Sequence, residues 1–140
     1  MTSAGVLDRT DVKDVSIDDF TTGWIAGLAM LGVSAVRIER ERFYKAIVAA
    51  YDRFVDLSQE QGLRPRFIIQ QRSYYGDSPD FRNALQRATA RDLVSLDNPD
   101  FINMRLKYTR DDAHYLFRYL DGGEDIYVPV AQAFRQAYAE

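Results

Sequence analysis

The apolar positions of the chain change rhythm beyond its middle. Phe81, Ala84, Leu85 and Ala88 recur at i, i+3, i+4 and i+7, which places them on one face of a helix. Ser78-Pro79-Asp80 supplies the start signal. Ser78 can accept a hydrogen bond from an orphan backbone N–H, Pro79 gives up an N–H that has no partner in a first turn, and Asp80 suits the positive end of the helix dipole. The predicted helix runs over 79–92. After Asp92 the period drops to two. Residues 93–96 read as a strand, Asp97-Asn98-Pro99-Asp100 as a turn, and 101–108 as a returning strand in which Ile102, Met104, Leu106 and Tyr108 alternate with Asn103, Arg105 and Lys107.

Residues 1–15 carry no period and are expected to form a flexible extension. Ser16 with Asp19 three positions later caps a helix predicted over 17–32. Phe20 to Val36 holds no charged side chain. Its threonines and glycines make a buried central helix the better reading than a membrane span, and Gly23 and Gly27, one turn apart, would let a second helix approach closely. Residues 33–38 read as a short extended segment. A long helix over 39–61 follows, with Phe43, Ile47, Tyr51, Phe54 and Leu57 as its inner stripe and Gly62 closing it. Leu63–Gln71 fits strand or helix equally, because the run Phe67-Ile68-Ile69 is too short to show a period. A loop over 72–77 carries Tyr74 and Tyr75. Thr109 and Asp112 cap a further helix with the stripe Ala113, Leu116, Phe117 and Leu120, ended by Gly122-Gly123. The last helix, 124–139, points Ile126, Val130, Ala133, Phe134 and Ala137 inward, and Pro129 either bends it or marks its true beginning.

A helix leading into a β-hairpin, with helices on either side, resembles the winged helix-turn-helix superfamily over residues 17–109, by element order. The resemblance implies that helix 79–92 holds the recognition position and that hairpin 93–109 is the wing. The expected fold is mainly α (α+β): a single winged-helix-like domain over 16–140 with one small β-hairpin, and a pair of additional C-terminal helices over 110–140.

Composition narrows the chemistry. The 140 residues are 46% hydrophobic and 13% aromatic, enough to fill the core of one domain. With no cysteine there is neither a disulfide framework nor a thiolate metal site, and the N-terminal stretch lacks a basic head followed by an apolar run, so a cytoplasmic location is expected. One histidine, His114, lies within a predicted helix with no serine near it in sequence, and no phosphate-binding glycine loop is present. The acid pairs Asp111-Asp112 and Glu124-Asp125 sit at helix starts, where they offset the dipole. The expectation is a non-enzymatic chain with no metal, cofactor or small-molecule substrate.

Charge makes nucleic acid a serious partner despite the net −3. Residues 1–63 carry 7 basic and 10 acidic side chains, 64–110 carry 9 and 5, and 111–140 carry 2 and 6, so only the central segment is positive. With the apolar stripe of helix 79–92 inward, Arg82, Asn83, Gln86, Arg87 and Ala90 face outward with Arg91 beside them. Arg, Asn and Gln can read base edges in a major groove, while Arg105 and Lys107 of the hairpin, with Arg64, Arg66 and Arg72 upstream, would meet phosphates. Asp77, Asp80, Asp97 and Asp100 oppose that reading at the helix entry and the wing tip. The competing class is protein contact. Tyr115 and Tyr119 flank Arg118 on the face opposite an apolar stripe, Tyr74 and Tyr75 share a loop, and Tyr and Arg are frequent binding anchors. An interaction, adaptor or regulatory module is the leading expectation, as a homodimer through the terminal helices or as an adaptor inside a bacterial multi-protein system. Sequence-specific DNA binding by a transcriptional regulator is the alternative.

Overall fold

Capping and burial settle where the helices lie. The computed structural model describes residues 12–70, 78–97 and 103–139. Among these residues the elements run β1 (Lys13–Val15), α1 (Ile17–Met30), β2 (Ala35–Arg37), α2 (Arg40–Glu60), β3 (Leu63–Pro65), α3 (Pro79–Ala90), β4 (Val94–Asp97), β5 (Asn103–Leu106), α4 (Arg110–Phe117) and α5 (Gly123–Ala139). The fold is mainly helical with a small antiparallel strand group, an α+β arrangement.

Helix α1 is the axis of the core. The Ser16 hydroxyl accepts the Asp19 N–H at 3.1 Å to open it. Phe20 through Ala29 are then all buried. The two threonines in that run are satisfied inside the helix, Thr21 donating to the Ile17 carbonyl at 2.7 Å and Thr22 to that of Asp18 at 2.9 Å. No helix of the described residues is long and apolar enough to cross a membrane.

Gly23 and Gly27 do what their spacing suggests. A Cβ on Gly23 would overlap the Tyr127 ring, and one on Gly27 would overlap the Tyr127 carbonyl and come within 2.9 Å of the Ala131 Cβ. The missing side chains form a notch that receives α5. This explains why Tyr127 and Ala131 are fully buried while Ala133 and Ala137, expected inward, are only half covered. Pro129 lies inside α5 and does not mark its beginning. The N–H it lacks would have served the carbonyl of the exposed Asp125, within reach of water.

Trp24 sits at the centre of the aromatic cluster. The rings of Phe43 (α2), Phe81 (α3) and Phe134 (α5) stand edge-on to it at centroid separations of 6.0, 5.6 and 5.1 Å. Its buried Nε1–H has no acceptor among the described residues.

The expected hairpin forms, with Leu96 opposite Met104 and Ser95 opposite Arg105. Strand β2 lies along the other side of β5, with Val36 opposite Met104, so the sheet order is β2-β5-β4 and the fully buried Met104 is its inner centre. Asp92, at φ +67°, makes the turn between α3 and the sheet. Its N–H reaches the Thr89 carbonyl at 3.0 Å and the Leu93 N–H reaches that of Ala88 at 3.0 Å, the pairing that closes α1 at Gly32. The hairpin turn itself, residues 98–102, lies outside the described residues.

Two expectations change at the N-terminal side. Lys13–Val15, assigned to the flexible extension, is a strand that pairs in parallel with Leu63–Pro65, and Val15 is 2% exposed. A three-residue strand is too short to show an alternation. The same pairing resolves the start of the ambiguous Leu63–Gln71 segment as strand, after which 66–70 are neither helix nor strand.

Candidate functional site

Two outward helix faces carry the residues singled out from the sequence. On α3 the inward stripe is as expected: Phe81, Ala84, Leu85 and Ala88 are buried. Arg82, Asn83, Gln86 and Arg87 are exposed on the opposite side, with Arg91 at the end of the helix. The C-terminal helices do not cover this face. Arg105 and Lys107 are exposed along the hairpin and just after it.

The basic groups of this region are already engaged. Arg87 Nε donates to both carboxylate oxygens of Asp18, at 2.9 and 3.2 Å, and Arg91 Nη1 donates to the Thr22 hydroxyl at 3.1 Å. These contacts fasten α3 to the first turns of α1. Lys107 pairs with Asp92, which ties the hairpin to the end of α3. Arg82 and Arg105 also make contacts within the chain. Upstream, Arg64 pairs with Asp14 across the β1–β3 ladder at 3.0 Å. Asp80 is exposed in the first turn of α3. The face is therefore a mixed-charge surface with internal ion pairs, and each such pair lowers the positive potential offered to a polyanion.

Helix α4 presents a different face. Asp112 reaches back to Thr109, accepting from its hydroxyl at 3.1 Å and from its N–H at 3.4 Å, and so fixes the start. Arg110 Nε donates to the Met30 carbonyl at 3.0 Å, which fastens the N-terminal turn to the end of α1. Ala113 and Phe117 are buried, while Leu116 and Leu120 are half-buried. On the opposite side Tyr115 is 61% exposed and Tyr119 is 86% exposed. The Arg118 guanidinium lies 5.2 Å from the Tyr115 ring centroid. These residues do not pack under the terminal helix.

Tyr74 and Tyr75 lie outside the described residues, as do Arg72 and Asp77. Ile68 is a surface residue that pattern reading missed, at 63% exposure. Its neighbours show why: Ile69 is buried and the Phe67 carbonyl accepts the Tyr51 hydroxyl at 2.8 Å, so this run alternates over only three positions. Asp18 was also missed as the partner of Arg87, since 69 positions separate them. Among the described residues no cluster of three or more acidic or histidine side chains is placed to hold a metal ion. No family model, curated protein or solved structure matches the chain.

Proposed function

We propose that the chain is a non-enzymatic interaction or regulatory module of winged-helix type, working in the cytoplasm through protein contacts made by the outward face of α4. The element order α1-β2-α2-α3-β4-β5 and the sheet order β2-β5-β4 support the architectural part of this reading. The observation that carries the functional part is the pair of tyrosines at 61% and 86% exposure around Arg118, on a helix whose other side is packed into the core. Tyr buries much area for little conformational entropy, Arg adds a planar head with several donors, and both keep a polar end for the rim, a combination enriched in binding hot spots. The expected result is that a protein co-purifying with the intact chain, or a second copy of it, is lost on Tyr115→Ala with Tyr119→Ala. A complex that survives both substitutions would remove this reading.

DNA binding is the second reading, favoured by the exposure of Arg82, Asn83, Gln86 and Arg87 on one side of α3. It ranks lower because Arg87 and Lys107 are paired with carboxylates of the chain itself. If it holds, duplex affinity falls steeply with salt and Arg82→Ala with Arg87→Ala abolishes it. No duplex binding at low salt would eliminate it.

A further inference from the structure

The outward face of α4 is electrostatically complementary to itself. Asp111, Tyr115 and Arg118 recur at i, i+4 and i+7, opposite the buried Ala113 and Phe117, so they form one seam, and all three are exposed. An acid stands at one end of the seam, a base at the other, and an aromatic ring lies between them. The geometry points to a second copy of this chain as the occupant: two α4 helices packed antiparallel about a twofold axis that passes between His114 and Tyr115. That operation carries position 111 onto 118. Each Asp111 then meets the other copy's Arg118, a contact that forms once for each copy, and the two Tyr115 rings meet near the axis. Tyr119 falls opposite the other copy's Arg110. This assignment rests on the protein-contact reading of the same face and names its partner.

Charge complementarity decides for a second copy. The whole chain carries −3, which opposes self-association in general, but the seam itself balances one negative against one positive group. A twofold contact must place each residue against its symmetry mate's partner, and a seam with opposite charges equally spaced from its centre satisfies that with attraction at both ends. The seam is short. One face of an 8-residue helix with the following turn is small beside the roughly 800 Å² per partner of a standard interface, so the dimer is expected to be weak and concentration-dependent.

Sedimentation of the intact chain over a concentration series tests this. The average mass should rise from 16.1 kDa toward twice that value. Asp111→Arg and Arg118→Asp should each weaken association about tenfold or more, since each sets like charges together at two symmetric contacts. An equimolar mixture of the two variants should associate again. The base introduced in one then meets the acid introduced in the other, and the unaltered Arg118 of the first meets the unaltered Asp111 of the second. Asp111 is chosen because it lies outside the Thr109–Asp112 cap, and unchanged Trp24 emission and helix content would show that both variants fold. A chain that stays at monomer mass overturns the inference. So does association unaffected by either variant, or a mixture that fails to regain it. Another protein captured through Tyr115 and Tyr119 by a monomeric chain would sink the dimer and leave the protein-contact reading standing.

Discussion

Helices α3 and α4 are built alike on the inside and unlike on the outside. Each lays a stripe of alanine and larger apolar residues against α1, Phe81 and Ala84 in one case and Ala113 and Phe117 in the other, and each begins at a side-chain cap. Their outer faces part company. On α3 and the hairpin beside it, basic side chains are drawn down onto Asp18, Thr22 and Asp92, so the charge works within the molecule. On α4 the aromatic rings stand in solvent, with the Arg118 guanidinium over the ring of Tyr115. Exposure alone does not distinguish a contact surface. What distinguishes it is whether the exposed groups have already found their partners.

The frame shared by both faces gives the largest expected effects. Gly27→Leu would drive a side chain into the Tyr127 backbone and Ala131, and is expected to cost about 3 kcal/mol or more. Both faces should be lost together, since α3 and α4 lean on α1, and the loss of Trp24's buried-type emission would report it. If the variant kept full stability, the notch would not be the seat of α5. Phe81→Ala is expected to cost about 3–5 kcal/mol, because its fully buried ring touches those of Phe20, Trp24, Phe43 and Tyr44. Thermal unfolding would measure it, and a cost below about 1 kcal/mol would mean that α3 is held by its surface ion pairs after all.

Alkaline pH probes the same frame more gently. Burial pushes the Tyr127 phenol well above its ordinary 10.0, with Asp19 and Asp121 adding to the shift. The unfolded chain releases this proton at its ordinary value while the folded chain retains it. The stability that Tyr127 contributes is therefore complete below about pH 10 and declines as pH climbs from there toward the folded-state value. Denaturant midpoints taken across that range should fall, and Tyr127→Phe should flatten the fall. An unchanged slope in the variant would place the titration elsewhere.

The smallest stability effects separate the two faces. Arg87→Ala should cost at most about 1 kcal/mol, and a double-mutant cycle with Asp18→Ala should show the two sites to be coupled. Tyr119→Ser, at 86% exposure, should leave unfolding within about 0.5 kcal/mol of the parent. A larger loss at Tyr119 than at Arg87 would reverse the contrast between the faces.

Much of the scaffold was legible because its signals are local. The rhythm changes at Asp92 because that residue takes a left-handed conformation and turns the chain out of α3, just as Gly32 does after α1. The stripe on α3 and the glycine notch on α1 were readable from spacing alone. What stayed hidden depends on partners far apart in sequence. The β1–β3 ladder joins positions 50 residues apart, and three-residue strands leave no pattern. Tyr127 and Ala131 could be placed only once the notch that receives them was known. The candidate site residues divide in the same way. Exposure of the α3 and α4 faces follows from helical period, whereas the engagement of Arg87 and Arg91 by α1 follows from tertiary packing and no spacing rule foretells it.

Amide hydrogen exchange, compared between the dilute chain and the complex it forms with a second copy or another protein, addresses the assignment of the contact face most directly. Slowed exchange over residues 110–120 with residues 79–90 unchanged is the predicted result. Protection of 79–90 with 110–120 left as in the dilute chain would contradict it.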